Sequence, residues 1–397
     1  MTRFGTLVCR IDERGRGVNL PLMSVSQTLG VVRRSALTDD PPRADSLDDY
    51  KVCRAGDIVF NKMSIRDGAM GVAREDGLVT YHYEVMRPRP GADPRYVVYL
   101  MKSEWFTGEL IQRERGIGAG GTSGVRTTEV PFGVLRTIDA PIPESTAQRA
   151  IADYLDVETA RIDRMIALRT EQARLMRTRL DGLVRRSVSV DRDGSPYPRT
   201  PLRRRWAVVD CKHRTPEYVD EGIPVVSPGD ATPGRLDLSV CTRFVTREDF
   251  EDLAEGDRRP RRGDIVYSRN ASIGIASYVG GDDEFTMGQD VCVIRSSTQD
   301  QRFLTYVLNT LGMDQLEEQK LGSTFSRINV SQILGLSIPC PPAERQSAIA
   351  DALDSASERN SQAVDIIALA TGLLVERRRA VISAAVTGQL TIPGVAA

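Results

Sequence analysis

Histidine is almost missing from this 397-residue chain: there are two, His82 and His213, and only five lysines accompany them. A catalytic dyad or triad built on imidazole has little to draw on, and the two that exist stand far apart in sequence. The six cysteines (Cys9, Cys53, Cys211, Cys241, Cys292, Cys340) occur singly with no C-x-x-C pair, which argues against a structural zinc site and a disulfide framework. They read as reduced, small apolar residues of a cytoplasmic protein. No uncharged apolar run approaches the roughly 18 residues of a membrane span, and Met1-Thr2-Arg3-Phe4-Gly5 has no apolar signal core, so neither a membrane nor a secreted protein is expected. A surplus of positive charge is missing too. With 53 Lys+Arg against 54 Asp+Glu the net charge is −1, which speaks against a protein that coats nucleic acid nonspecifically but leaves room for local basic surfaces.

What the chain does have is itself, twice. Residues 141–161, P-I-P-E-S-T-A-Q-R-A-I-A-D-Y-L-D-V-E-T-A-R, are answered at 339–359 by P-C-P-P-A-E-R-Q-S-A-I-A-D-A-L-D-S-A-S-E-R, and the correspondence runs on without a gap through Leu175/Leu373, Leu183/Val381 and Val188/Val386. Upstream, Gly56-Asp57-Ile58-Val59-Phe60 is answered by Gly263-Asp264-Ile265-Val266-Tyr267, and Gly121-Thr122-Ser123-Gly124-Val125-Arg126 by Gly322-Ser323-Thr324-Phe325-Ser326-Arg327. A self-similarity of this length is a duplication. The expected order is module (1–143), spacer helix (144–190), linker (191–200), module (201–338) and spacer helix (339–390).

Each spacer starts behind prolines and continues with apolar residues at helical spacing: Ile151, Leu155, Ile162, Met165, Ile166, Leu175, Leu183 in one, Ile349, Leu353, Val364, Ile367, Leu374, Val381 in the other. Some 44 residues make a rod of about 66 Å, whose apolar stripe must be covered. Two rods packed antiparallel, coiled-coil-like, about a pseudo-twofold axis cover it economically; the alternative is that each helix lies on its own module. Within the modules, Asp57–Phe60, Tyr83–Met86, Asp264–Tyr267 and Asp290–Ile294 have the composition of strands, while 96–110 and 303–321 have that of helices. The fold class is therefore mixed α/β, an α+β arrangement of two globular modules and two long helices.

Enzyme motifs come close and fail. Asp40-Pro41-Pro42-Arg43 has Arg43 where an amino-methyltransferase needs an aromatic to stack on a flipped base. Asp49-Tyr50-Lys51 and Asp210-Cys211-Lys212 contain a nuclease-like D-x-K that a chain this acidic produces by chance. Gly116–Gly121 lacks the Lys-Ser/Thr ending of a phosphate loop. No catalytic residue and no metal ligand are assigned.

The residues Gln148, Ile151, Ala152, Leu155 and Asp156, repeated as Gln346, Ile349, Ala350, Leu353 and Asp354, form Q-x-x-I-A-x-x-L-D behind P-x-P. In this setting, with Glu376-Arg377-Arg378-Arg379 through Gly388-Gln389 closing the second helix, the chain resembles the specificity subunit of type I restriction-modification systems. The second module adds Lys212-His213-Arg214-Thr215-Pro216, Gly222-Ile223-Pro224, Ser268-Arg269, Gln289 and Gly322-Ser323-Thr324. The first lacks the K-H-R-T-P and G-I-P elements, so it is a different subtype and the target is expected to be asymmetric.

The resemblance implies a DNA reader without catalytic machinery, each module taking one half of a bipartite double-stranded target. The rods would set the gap and dock two methyltransferase subunits. Those partners would carry S-adenosylmethionine, and a separate restriction/translocase subunit would cut. Major-groove readout needs paired donors and acceptors, which points to loop residues. Candidates are the repeat-related pairs Lys62/Arg269 and Arg126/Arg327, joined through the resemblance by Lys212, His213, Arg214, Gln289 and Thr324; for each, a solvated charge or a turn hydrogen bond is the bland alternative. Two rival functions stay open: an assembly scaffold that does not read DNA, and the recognition subunit of a methyltransferase system without a cleavage motor.

Overall fold

The computed structural model describes residues 1–40, 46–114, 131–320 and 327–395. By internal contacts the chain divides into two compact units, Met1–Thr170 with Ala368–Ala397, and Glu171–Ile367. This division cuts through both long helices, whereas the sequence boundaries kept each helix whole.

In the first unit the central sheet comprises β1 (Val8–Ile11), β2 (Ile58–Asn61), β3 (Met70–Val72) and β4 (Tyr83–Pro88) in the order β1-β4-β2-β3, all antiparallel. Strand β2 enters from Gly56, whose φ of +92° is open to glycine, and Asp57 then fixes the turn by accepting the Arg54 amide at 2.9 Å. The hairpin Met23–Ser26/Gly30–Arg33 presses so closely on β3 that a Cβ on Gly71 would lie 2.8 Å from the Gly30 Cα. The helix expected over 96–110 is two helices, α1 (Pro94–Lys102) and α2 (Glu104–Glu114). They part at Ser103, whose backbone is extended (ψ 149°) and whose hydroxyl donates back to the Leu100 carbonyl and accepts the Phe106 amide. A serine that caps in both directions is a local alternative to one continuous helix.

The second unit repeats the plan with β5 (Ala207–Asp210), β6 (Ile265–Ser268), β7 (Ala276–Tyr278) and β8 (Val291–Arg295), ordered β5-β8-β6-β7, the two-residue strand Gly234–Arg235 adding to β7. Gly263 (φ +90°) and Asp264 reproduce the entry turn. Helix α4 (Gln301–Val307) runs through a π-turn at Leu308–Gly312 into α5 (Met313–Lys320), in place of the plain helix expected over 303–321.

The long helices are α3 (Ser145–Ser189) and α6 (Ala343–Val386), within a few residues of expectation. Both alternatives for their apolar stripe hold in part. In the first unit Ile151, Ala152 and Leu155 at the start of α3 share one core with Phe4, Phe60, Tyr96 and Phe106 of the module and with Ile382, Ala385 and Val386 at the end of α6. Asp163 further along α3 meets Arg378 earlier in α6 at 2.8 Å, so the two helices run antiparallel there. In the second unit Ile349, Ala350 and Leu353 share a core with Val184 and Val188 of α3 and with Trp206, Tyr267 and Phe303. Each module is thus seated on the beginning of its own helix and the end of the other. All six cysteines are unpaired, and no described helix is long and apolar enough to cross a membrane.

Candidate nucleic-acid interface

The geometry starts where module meets helix, because that junction determines where the sheet points. Asp93 caps α1, accepting the Arg95 and Tyr96 amides, and its own amide donates to Gln148 Oε1 at 3.0 Å. Arg95 reaches Asp93, Asp153 and Asp156, while Tyr99 donates to Asp156 at 2.7 Å. Every bond recurs in the second unit. Asp300 caps α4 and donates its amide to Gln346, Arg302 reaches Asp300, Asp351 and Asp354, and Tyr306 donates to Asp354 at 2.8 Å. Bonds to Asp93, Asp153 and Asp156 hold the Arg95 guanidinium above its ordinary pKa; for Arg302, burial opposes the charge but the three carboxylates outweigh it. Burial pushes both phenols, Tyr99 and Tyr306, up to about 12. The Q-x-x-I-A-x-x-L-D signature therefore has a structural meaning: its Gln and Asp clamp the module, and its Ile, Ala and Leu enter the module core. Arg95, Arg302, Tyr99 and Tyr306 were missed in the sequence because they lie on the module side, where the repeats drift in offset.

At the far side of the second sheet the loops after β5, after β6 and before β8 converge. Asp210, the last residue of β5, takes an ion pair from Arg269 and faces His213 at 3.4 Å. The Arg269 amide donates to the Asp290 carbonyl, Asn270 donates to the Asp290 carboxylate at 3.0 Å, and Arg327 pairs with that same carboxylate at 2.6 Å. Gln289 donates to the Thr215 hydroxyl at 2.6 Å. Among the described residues only Ala271 and Asp290 are non-glycine residues at positive φ, 52° and 65°, and both belong to this cluster. Backbone held in a costly region at one spot, by bonds from three loops, is a mark of a functional surface.

Of the nine residues singled out, the structure brings His213, Arg269, Gln289 and Arg327 to this cluster. Lys212 and Arg214 follow β5 but turn onto the helix Arg247–Leu253 and the residues just after it, Lys212 pairing with Asp252 (2.7 Å) and Glu255, Arg214 with Asp249 (2.6 Å) and Asp252. Arg269 is only 4% exposed, its guanidinium held by Asp210 and by the Ile328 carbonyl at 3.2 Å, whereas Arg327 and Gln289 are exposed. Lys62 follows β2 in the first unit, half-buried. Arg126 and Thr324 lie outside the described residues. The D-x-K strings do not form paired sites: Lys212 is spent on Asp252 and Glu255, and Lys51 is buried against Glu84. Among the described residues no group of three or more His, Cys, Asp or Glu could hold a metal. Among the arginines clustered at 258–262 and 377–379, Arg259 pairs with Glu251, Arg262 with Asp282 and Arg378 with Asp163.

Residues 213–364, which include all of this cluster but Asp210 and most of the second module, match the type I restriction modification DNA specificity domain. Over the whole chain the fold resembles two solved chains. A chain from a structure of complex assembly and conformational transition of the type I restriction-modification system aligns with a TM-score of 0.74 at 18% identity, covering 98% of this chain and 97% of that one. The HsdS subunit from Thermoanaerobacter tengcongensis aligns with a TM-score of 0.56 at 18% identity, covering 98% and 96%. No curated protein matches the sequence. The resemblance to a specificity subunit and the mixed α/β architecture with long linking helices are thereby borne out, and all of the polar cluster but Asp210 lies in the segment that matches the specificity-domain model.

Proposed function

We propose that this chain is the non-catalytic recognition subunit of a type I restriction-modification complex, its two modules each reading one half of an asymmetric bipartite duplex and its two helices setting the gap. The observation that carries the reading is the recurrence of one sheet plan, β1-β4-β2-β3 and β5-β8-β6-β7, in the module that matches the DNA specificity domain and in the module that does not. In both, the ends of corresponding strands present polar and basic side chains. Arg327 and Gln289 are the best placed for base or phosphate contact in the second module; Arg269 holds the Asp210 carboxylate and the Ile328 and Asp290 carbonyls, so its role is to position the reading surface.

The helices also bear exposed apolar residues in excess of what a free rod needs: Leu168, Leu369 and Leu373 in the first unit, Leu175, Leu183 and Ile366 in the second. Leu168 and Ile366 are repeat equivalents, as are Leu175 and Leu373, which suits two copies of one partner. These partners are two methyltransferase subunits, which would carry S-adenosylmethionine; a restriction/translocase subunit completes the complex. The test is sequence-selective retention: the chain assembled with its methyltransferase partner should hold one duplex sequence far above a scrambled one at the same salt concentration. Retention blind to sequence would favour the assembly scaffold and overturn the reading.

A further inference from the structure

The first module lies outside the matched segment 213–364 and lacks its motifs, so nothing assigns its contact residues beyond Lys62 and Arg126. Strand register supplies them. In the first unit Ile58 pairs with Met86 and Asn61 with Tyr83; in the second Ile265 pairs with Ile294 and Ser268 with Val291. Arg87 bonds Asp57 as Arg295 bonds Asp264, which fixes the same frame independently. Tyr83 therefore corresponds to Val291, and Tyr81 to Gln289. By the same construction Ile11 opposite Val85 corresponds to Val209 opposite Val293, so Asp12 answers Asp210 and Arg14 answers Lys212.

The side chains at these positions have a character of their own. Tyr81 is 54% exposed, with its ring centroid 4.0 Å from that of His82, and Met63, next to Lys62, is exposed as well. Tyr81 and Lys62 line one cleft of about 410 Å³ with Arg10, Arg14, Asp49 and Lys51. Under the aromatic pair lies a buried charge network. Lys51 and Glu84 are each 2% exposed; Lys51 Nζ donates to the Tyr83 carbonyl at 2.9 Å and to Glu84 at 3.2 Å, and Arg10 takes the other Glu84 oxygen. A buried ion pair is a weak contributor to stability, because desolvation offsets its attraction. It does fix geometry, and what it fixes here is the residue that follows the Tyr81–His82 pair.

We propose that the cleft bounded by Lys62, Arg14 and Tyr81, with His82 packed beside the Tyr81 ring, is the first module's DNA-reading site, with Tyr81 against a base edge in the groove and the cations on flanking phosphates. An exposed ring on a rigid footing offers an apolar face for a thymine methyl and a hydroxyl that donates and accepts; the polar Gln289 at the same position of the other module would read different edges, which makes the target asymmetric. This inference rests on the recognition-subunit reading. It is tested on the assembled methyltransferase complex by sequencing the motif that wild type, Tyr81→Ala, His82→Ala and Arg327→Ala methylate.

The expected result is a relaxation of about tenfold at one or two positions of a single half-site for Tyr81→Ala or His82→Ala, in the half that Arg327→Ala leaves intact. An unchanged motif with both variants overturns the site, as does a uniform loss over all sequences accompanied by a shallower salt dependence, since that demotes Tyr81 to backbone positioning. A wild-type complex that methylates without sequence preference overturns the underlying reading instead.

Discussion

Arg269 and Arg327 stand 58 positions apart in sequence and within one cluster in space, and the structure gives them different work. Arg269 is buried on Asp210 and the Ile328 carbonyl; Arg327 is exposed and shares Asp290 with Asn270. Replacing Arg269 with alanine leaves Asp210 without its ion-pair partner and the Ile328 carbonyl short of a donor, which should cost about 3 kcal/mol of stability and lower the melting temperature. Arg327→Ala should leave melting nearly unchanged and alter DNA binding, confined to one half-site if the contact is a base and spread over all sequences if it is a phosphate. Melting curves and DNA titrations on both variants check this; equal effects on stability would contradict it. Sequence alone ranked the two residues together, because a repeat-related arginine at a strand end and one closing a loop look the same whether they point into the protein or out. Burial is set by what the other loops bring, and Asp210 and Ile328 are distant in sequence.

The elements themselves were largely legible. Apolar periodicity and proline punctuation gave both long helices to within a few residues, and G-D-I-V gave the two central strands, because glycine at positive φ followed by a capping aspartate is a local instruction. What periodicity could not show is the break at Ser103 or the π-turn at Leu308–Gly312, since neither disturbs the apolar spacing. Nor could it show that the Q-x-x-I-A-x-x-L-D signature serves the junction, since Asp93, Arg95 and Tyr99 belong to another segment. That junction yields a prediction at its own scale. Arg302 and Asp354 should be coupled by about 1 kcal/mol in a double-mutant cycle read by urea unfolding, and Arg95 with Asp156 by a similar amount. Lysine at either position should recover little, because one ammonium cannot fan out to three carboxylates as a guanidinium does. Coupling indistinguishable from zero at both junctions would remove the clamp from the account.

At the scale of the molecule, duplication explains the economy of the design: one sheet plan, one entry turn and one junction, each used twice, while the residues at the strand ends differ. Gln289 and Asp290 in the second module hold the register positions that Tyr81 and His82 hold in the first. The claim that separates this account from a scaffold is that the two helices act as a ruler. Both helices contribute to both units, so the ruler must be lengthened in both: four residues inserted after Gln172 in α3 and four after its repeat equivalent Ala370 in α6 add about 6 Å, close to two base-pair steps. The deciding measurement is the motif methylated by the complex carrying this paired insertion. The account predicts both half-sites retained and the gap between them wider by about two base pairs. An assembled, active complex that keeps the original gap would contradict it.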